Sequence, residues 1–293
     1  MAMERILIPL DGSRLAEAAL PAGCRLGAAT RATLVLLHVL ERNATPQIHG
    51  ERHLTGTAEA EAYLAQVAQR LTADGLAVEC HAHADPVGDV AASIAVHADA
   101  HAIDLTVVCT HGAGGIRDAL WGSIAQQVVQ HSTYPVLLVR AGGHGEPADF
   151  QPATIMVPLD GTAAAEAAVP HAAALARNLA AQLRLVFVVP TLDTSAQSSF
   201  SPRASRMLAD VQERQASAYL ERVAGALDVP AHTEIRRGNA VTELATDTGE
   251  HADGLIAIAT HGRAGLQAIW SPSTAARLLR RTQAPILLVP IAE

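Results

Sequence analysis

The chain has 293 residues, of which 49% are hydrophobic and 17% are charged, a balance typical of a globular protein with room for two domains. Its formal net charge is −8, and the 21 Lys/Arg positions are all arginine and are scattered along the chain. This charge pattern argues against binding to nucleic acid or to an anionic membrane surface.

The three cysteines, Cys24, Cys80 and Cys109, lack the spacing of a metal site, which favours a reducing compartment over a disulfide framework. The first residues, MAMERILIPLDGS, meet a charge too early for a signal peptide. No run of about 18 apolar residues predicts a membrane span. We therefore expect a cytoplasmic protein that does not bind membranes.

The first half alternates predicted strands with predicted helices. Glu4–Leu10 reads ERILIPL and predicts a strand, after which Ser13 is placed to cap a helix. Thr33–Leu40 is nearly continuously apolar, as expected of a strand covered on both faces. The segments that follow are a polar loop (41–55), a helix (57–73), a strand (76–84), a helix capped by Asp85-Pro86 that ends near His101, and two strands (104–108 and 135–140).

After a Gly/Pro-rich linker the same order begins again. The sequence IPLDGSRLAEAALP returns as VPLDGTAAAEAAVP. The THG of residues 110–112 returns at 260–262, where the surrounding stretch matches at an offset of 150 residues. The chain is therefore a tandem duplication, with predicted domains over residues 1–141 and 153–293 and a linker over 142–152. Alternating strands and helices predict an α/β fold with a parallel sheet in each half.

A glycine-rich turn stands between a predicted strand and a predicted helix in each half. In the first half it reads CTHGAGGIRDALWGS, from Cys109 to Ser123. Such a turn gathers free backbone N–H groups and the positive end of a helix dipole, which favours a phosphate ligand. In a chain without lysine, backbone N–H groups, the Ser123 hydroxyl and Arg117 would have to hold that phosphate. A tight turn without a ligand is the alternative interpretation.

Both halves resemble the universal stress protein family. Its ATP-binding members share a pattern of Gly, two residues, Gly, nine residues, Gly, and then Ser or Thr. The corresponding residues are Cys109, Gly112, Gly122 and Ser123 in the first half, and Ala259, Gly262, Pro272 and Ser273 in the second. The resemblance implies two doubly wound, Rossmann-like sheets similar to adenine nucleotide hydrolases, each with five parallel strands in the order 3-2-1-4-5.

The resemblance also implies an adenine-nucleotide site at the point where the strand order reverses. In the family an aspartate contacts the ribose, the end of the second strand holds the adenine, and the glycine loop holds the phosphates. The ligand is expected to be ATP or another adenine nucleotide, with Mg²⁺ as an optional companion of ATP. The residues so implied are Pro9, Asp11, Val39, Cys109, His111, Gly112, Gly122 and Ser123, with a weaker second site at Asp160, Gly262, Arg263 and Ser273.

Several of these residues can also be interpreted as structural residues without a role in binding. Asp11 begins an Asp-Gly pair, which is common in turns. His111 has no Ser or Cys neighbour at a nucleophile's spacing, so we predict that it shapes the loop, and we predict no catalytic residue. Cys109 is expected to be an inert strand-end thiol, although its side chain also adds bulk where the family has glycine.

Two histidine pairs are candidate metal ligands. His81 and His83 alternate onto one face of a predicted strand, and His97 and His101 lie one helical turn apart. Each pair supplies two ligands, and the sequence places no third ligand beside either pair. We therefore predict no metal site.

The resemblance implies a stress-response protein that is regulatory or protective rather than metabolic. The alternatives are a non-nucleotide interaction scaffold in which both sites are degenerate and, less favoured, a slow ATPase or self-phosphorylating protein. In single-domain relatives two subunits pair through their fifth strands. We therefore expect an internal pseudo-dimer through Pro135–Arg140 and Pro285–Pro290, with a homodimer of the whole chain left open.

Overall fold

The computed structural model describes residues 3–42, 44–45, 47–48, 51–110, 123–142, 149–190, 202–250, 253–261, 278 and 281–291. The chain forms two compact units. The first contains the residues up to Gln151 together with the last strand of the chain, and the second contains Pro152–Thr260.

The first repeat follows the predicted alternation. Its strands are β1 (Arg5–Pro9), β2 (Thr33–Glu41), β3 (Gln47–Ile48), β4 (Glu51–Arg52), β5 (Val78–Val87), β6 (Leu105–Thr110) and β7 (Val136–Arg140). Its helices are α1 (Arg14–Glu17), α2 (Leu20–Thr30), α3 (Thr57–Ala73), α4 (Val90–Ala100) and α5 (Ser123–His131).

The second repeat has the same plan. Its strands are β8 (Thr154–Leu159), β9 (Gln182–Val189), β10 (Ala231–Arg237), β11 (Gly254–His261) and β12 (Ile286–Ile291). Its helices are α6 (Ala163–Glu166), α7 (Val169–Leu179), α8 (Pro202–Gly225) and α9 (Ala240–Glu250). Within the described ranges, no helix combines the length and the apolar character needed to cross a bilayer.

The sheet of the first unit has the strand order β5-β2-β1-β6-β7, with every neighbouring pair parallel. This is the 3-2-1-4-5 order expected from the family resemblance. β12 lies antiparallel beside β7, with Leu287 opposite Leu137, so the two strands predicted to pair are neighbours. The pairing covers the edge of β7, which would otherwise present unpaired N–H and C=O groups.

The second unit contains four parallel strands in the order β10-β9-β8-β11, which is 3-2-1-4 of the same plan. The expected fifth strand of this repeat is β12, which belongs to the first unit. The long helix predicted from about residue 203 to 226 is α8, with bounds that differ by one residue at each end.

The core of the first unit is built on its central strands. Ile6, Leu7 and Ile8 are all fully buried, as are Leu34 and Leu36 of β2. Helix α2 packs on β1 and β2, α3 packs on β2 and β5, and α4 packs on β2 and α5. Central parallel strands are buried on both faces, which is why their sequences are apolar without alternation.

Three local predictions need correction. Asp85 and Pro86 lie inside β5 and do not start a helix; the N-cap of α4 is Asp89, whose carboxylate accepts from Ala92 N at 2.9 Å. Proline is tolerated there because β5 is an edge strand. The predicted first helix is two helices, α1 and α2, with Pro21 in the first turn of α2. The polar segment 41–55 contains the small antiparallel hairpin of β3 and β4.

Candidate functional site

The turn after β1 is stabilised by the side chains that the sequence predicted to lie there. Asp11 Oδ1 accepts hydrogen bonds from Ser13 N at 2.9 Å and from Ser13 Oγ at 2.6 Å. Ser13 Oγ in turn accepts from Ala16 N at 3.1 Å, so Ser13 is the predicted N-cap. Gly12 supplies the left-handed backbone that joins them, with φ of +89°.

Strand register brings two of the predicted positions, Asp11 and Val39, to one level with the end of β6. Pro9 lies opposite Leu37 of β2, so Asp11 and Val39, two residues further along each chain segment, are level with each other. Leu7 lies opposite Thr106 of β6, which puts Thr110, at the end of β6, level with Asp11. The carboxyl ends of β2, β1 and β6 therefore meet where the strand order reverses, the usual ligand position in a doubly wound sheet.

Several predicted site residues lie outside the described residues. They are His111, Gly112, Gly122, Gly262, Arg263 and Ser273. Pro272, the reason for predicting an unequal second site, also lies there. Ser123 is the first residue of α5, and its side chain is outside the described part of the chain. Their roles stay predictions.

The end of β6 carries Cys109 and Thr110. The Cys109 thiol is half-buried and donates to its neighbour's carbonyl, Thr110 O, at 3.3 Å. Burial raises the pKa of this thiol to about 12, so it is protonated and unreactive at neutral pH. Thr110 is buried, and its hydroxyl donates to Val139 O on β7 at 3.3 Å. Arg140, half-buried at the end of β7, lies opposite Thr110.

The segment from Glu51 to Leu54, which sequence reasoning treated only as a loop, packs on the Asp11 turn. The Glu51 carboxylate accepts from Arg14 N at 2.6 Å. A Cβ built on Gly12 would lie 2.8 Å from Leu54 Cγ, and Leu54 itself is buried. The turn is thus covered on one side by a segment that follows it by about forty residues, and no local pattern predicts this contact.

His38 is the second residue that sequence reasoning missed. Its ring is 1% exposed, and its Nδ1 donates to Leu10 O at 2.7 Å, which fastens the end of β2 to the residue before Asp11. No described residue hydrogen-bonds its Nε2. Burial lowers the pKa of His38, so the ring is neutral at pH 7. A histidine in the otherwise apolar run TLVLLHVL was the available signal.

The second unit repeats the turn, and no described residue packs on its glycine as closely as Leu54 packs on Gly12. Asp160 Oδ1 accepts from Thr162 N at 3.0 Å and from Thr162 Oγ1 at 2.6 Å, and Thr162 caps α6. Gly161 has the same φ of +89°, but among the described residues a Cβ built on it meets only Phe187 Cε2, at 3.9 Å. Asp160 is exposed, whereas Asp11 is half-buried. The two turns have the same hydrogen bonds and different surroundings.

Comparison with known proteins agrees with this architecture. The universal stress protein family profile matches twice, over residues 3–140 and 153–290. Universal stress protein YxiE of Bacillus subtilis is 29% identical over 149 residues, which cover 46% of this chain and 98% of that protein. Universal stress protein MJ0531 of Methanocaldococcus jannaschii is 27% identical over 138 residues, which cover 46% of this chain and 80% of that protein.

A solved structure of similar length shares the fold along the whole chain. It is a universal stress protein from Archaeoglobus fulgidus, with a TM-score of 0.71 and 18% identity, covering 98% of both chains. The duplicated sequence, the 3-2-1-4-5 strand order of the first unit and the two profile matches have one common explanation. The chain belongs to the universal stress protein family, as a tandem member that contains the family's domain twice.

Proposed function

We propose that the first unit binds ATP or another adenine nucleotide at the carboxyl ends of β2, β1 and β6. The protein would act in a stress response as a regulatory or protective factor. The observation that supports this most strongly is the common level of Asp11, Val39 and Thr110 at the reversal of strand order. The three free cysteines fit the reducing cytoplasm that this role implies.

The chemistry of the three strand ends suits the parts of a nucleotide. Asp11 offers a carboxylate to ribose hydroxyls, and its orientation is held by the Ser13 bonds. Val39 offers backbone groups to the adenine beside an apolar, buried side chain. Ser123 starts α5, whose N-terminus favours a phosphate and, with ATP, its Mg²⁺.

The two units are proposed to bind unequally. Pro272 stands where Gly122 stands in the first repeat, and proline has no N–H to donate to a phosphate. Losing one hydrogen bond to a charged group costs about 1.5–3 kcal/mol, or roughly ten- to a hundredfold in affinity. Arg263 offers a partial replacement, which we judge smaller than the loss of the donor.

Titration calorimetry with ATP and Mg²⁺ tests the proposal. We expect one site per chain, weakened by Asp11→Ala and by Gly122→Pro, and unchanged by the matched control Asp160→Ala. Two equal sites per chain, or a single site that responds only to Asp160→Ala, would contradict the assignment.

A second candidate function is an interaction scaffold that binds no nucleotide. The observation in its favour is Cys109, whose half-buried side chain occupies the strand-end position at which the family pattern has glycine. Cys109→Gly separates the two functions. A nucleotide site tightens or is unaffected when this side chain is removed, whereas a scaffold shows no ATP binding in either form.

We also propose that β7 and β12 make the chain its own pseudo-dimer. The antiparallel contact of Val136 with Leu288 and of Leu138 with Ile286 supports this proposal. Because β12 covers the edge of β7, we expect the full chain to sediment as a monomer. Leu287→Pro disrupts the pairing and should promote self-association through the uncovered edge. Self-association of the parent to the same degree would count against an internal pair.

A further inference from the structure

Four histidines come together on one face of the first unit, and none of them is among the residues proposed for the nucleotide. His81 and His83 belong to β5, and His97 and His101 lie one turn apart at the end of α4. His81 Nδ1 lies 2.8 Å from His97 Nε2, and His83 Nε2 lies 2.9 Å from His97 Nδ1. The rings of His97 and His101 stack with centroids 4.1 Å apart.

Strand geometry explains why β5 contributes two of the rings. Side chains of a strand alternate between faces, so His81 and His83 point to the same side. That side is covered by α4, whereas Cys80, the residue before His81, donates to Leu64 O of α3 on the other side. The crossover from β5 to α4 then brings the second pair of histidines over the first.

Three of the rings are close enough to share one ion. One ring nitrogen each of His81, His97 and His101 lies within 4.8 Å of the others. Zinc bound tetrahedrally at about 2.0–2.1 Å from each nitrogen separates its ligands by about 3.3 Å. The nitrogens of His81 and His97 that now share a proton would therefore separate by about half an ångström to admit a metal.

The outer nitrogens of the two closest rings already have partners. Nε2 of His81 lies 3.7 Å from Glu79 Oε2, and Arg5 holds that carboxylate with two hydrogen bonds of 3.1 and 2.6 Å. His97 Nδ1 can donate to His83 Nε2. With the protons on these outer nitrogens, the lone pairs of His81 Nδ1 and His97 Nε2 face the same point. Metal-binding histidines commonly have such outer partners.

The burial and the protonation state of the histidine rings also favour a metal site. His97 is 6% exposed, His81 and His83 are half-buried, and His101 is exposed, so the cluster has an inner wall and an open side. Burial lowers the pKa of His97 to about 4 and also lowers the pKa values of His81 and His83. Neutral imidazoles prefer zinc, copper or nickel over magnesium or calcium, which require oxygen ligands.

The second unit does not repeat the arrangement. In β5, His81 lies opposite Leu37 and His83 lies opposite Val39. The matching register positions of β10, opposite Val186 and Val188, hold Glu234 and Arg236. The second repeat also has Asp247 where the first has His97, at the offset of 150 residues that relates the THG stretches. Among the described residues, this cluster therefore occurs once.

We propose that His81, His97 and His101 bind one divalent transition-metal ion of the Zn²⁺ type, with His83 and Glu79 as positioning residues. Water or a ligand from solution completes the coordination on the exposed side of His101. None of the three ligands is a residue proposed for the nucleotide, and the proposal does not depend on nucleotide binding. The sequence could not place a third ligand because the two histidine pairs come from different elements.

The test is a titration of the full-length, tag-free chain with Zn²⁺ at pH 7.5, in the absence of nucleotide, with Co²⁺ absorption as a second measurement. We expect one ion per chain, the visible absorption bands of four-coordinate Co²⁺, and a higher melting temperature with Zn²⁺. His101→Ala and His81→Ala should weaken binding at least tenfold, and His83→Ala should weaken it by about 10–100-fold at unchanged stoichiometry.

The matched control is His232→Ala, which removes an exposed strand histidine of the second unit. It should leave the affinity for Zn²⁺ unchanged. Because replacing the buried His97 would also disturb packing, the test relies on the exposed His101 and the half-buried His81. The proposal would be overturned if the parent chain bound Zn²⁺ no more tightly than the His101→Ala variant, or if His232→Ala lost as much affinity for Zn²⁺ as His101→Ala. The four histidines would then form a purely hydrogen-bonded chain.

Discussion

The turns at Gly12 and Gly161 allow one substitution to be compared in two settings. Both glycines have φ of +89°, a backbone conformation that residues other than glycine rarely adopt. Alanine at such a position costs about 1–2 kcal/mol in backbone strain, offset by about 0.4–1 kcal/mol from the stiffer unfolded chain. For Gly161→Ala, whose Cβ has Phe187 Cε2 at 3.9 Å, we expect a loss of about 1 kcal/mol.

Gly12→Ala carries the same strain and an additional clash. Its Cβ would lie 2.8 Å from Leu54 Cγ and 2.9 Å from Leu54 Cδ1, about 1 Å closer than carbon atoms normally pack. Leu54 is 8% exposed, so its side chain has little room to turn away. Overpacking of this kind costs about 1–3 kcal/mol, which brings the expected loss to about 2–4 kcal/mol.

Urea denaturation followed by circular dichroism measures both losses. Since two units can unfold separately, each transition is fitted by itself. The decisive control is Gly12→Ala introduced into a Leu54→Ala background, where we expect the additional loss to fall to that of Gly161→Ala. The reasoning would be refuted if Gly161→Ala cost as much as Gly12→Ala, or if removing Leu54 did not lower the cost.

Two further predictions concern the core and the pH dependence of stability. Gly23→Ala should destabilise α2 despite alanine's better helix propensity, because its Cβ would lie 2.3 Å from Cδ1 of the fully buried Ile8. Gly225→Ala, whose Cβ has no atom of a described residue within 4 Å, should be neutral or stabilising in the same denaturation assay, and equal effects would contradict the packing argument. Burial keeps the pKa of His38 in the folded protein below the value of 6.5 that it has in the unfolded chain. Below about pH 6.5 the unfolded chain therefore binds a proton at His38 that the folded protein does not bind, and the free energy of unfolding falls as the pH falls. His38→Asn, which keeps a donor for Leu10 O, should flatten the fall in unfolding free energy between pH 7.5 and 5, and an unchanged slope would show that His38 is not responsible.

Local signals predicted the parts of the fold that depend on neighbours in sequence. Ser13 caps α1 because a hydroxyl there reaches the N–H three residues on, and the same bond recurs at Thr162. The Asp85-Pro86 prediction failed although the same kind of signal was present. An Asp-Pro pair fits a helix start, but it also fits the end of an edge strand, and the pairing of β5 with β2 continues to Val87 opposite Glu41.

The candidate nucleotide site was predicted by resemblance, and its described half is assembled by strand register. The sequence by itself could name Asp11 and Val39 as members of one site only through the family pattern, since 27 residues separate them in the chain. Parallel pairing of β1 with β2 makes them level. No sequence pattern predicts the contact of Leu54 with Gly12, because a single leucine in a polar segment could pack against many parts of the protein.

The sequence alone determined the duplication, the alternation of strands and helices, and the type of sheet, because each depends on a repeat or a periodicity that can be read along the chain. The tertiary structure decided that β12 lies beside β7 and that His81 and His83 meet His97 and His101. These contacts join segments whose separation in the chain says nothing about their separation in space. Their positions follow from strand order and crossover, which become definite only when the whole sheet is formed.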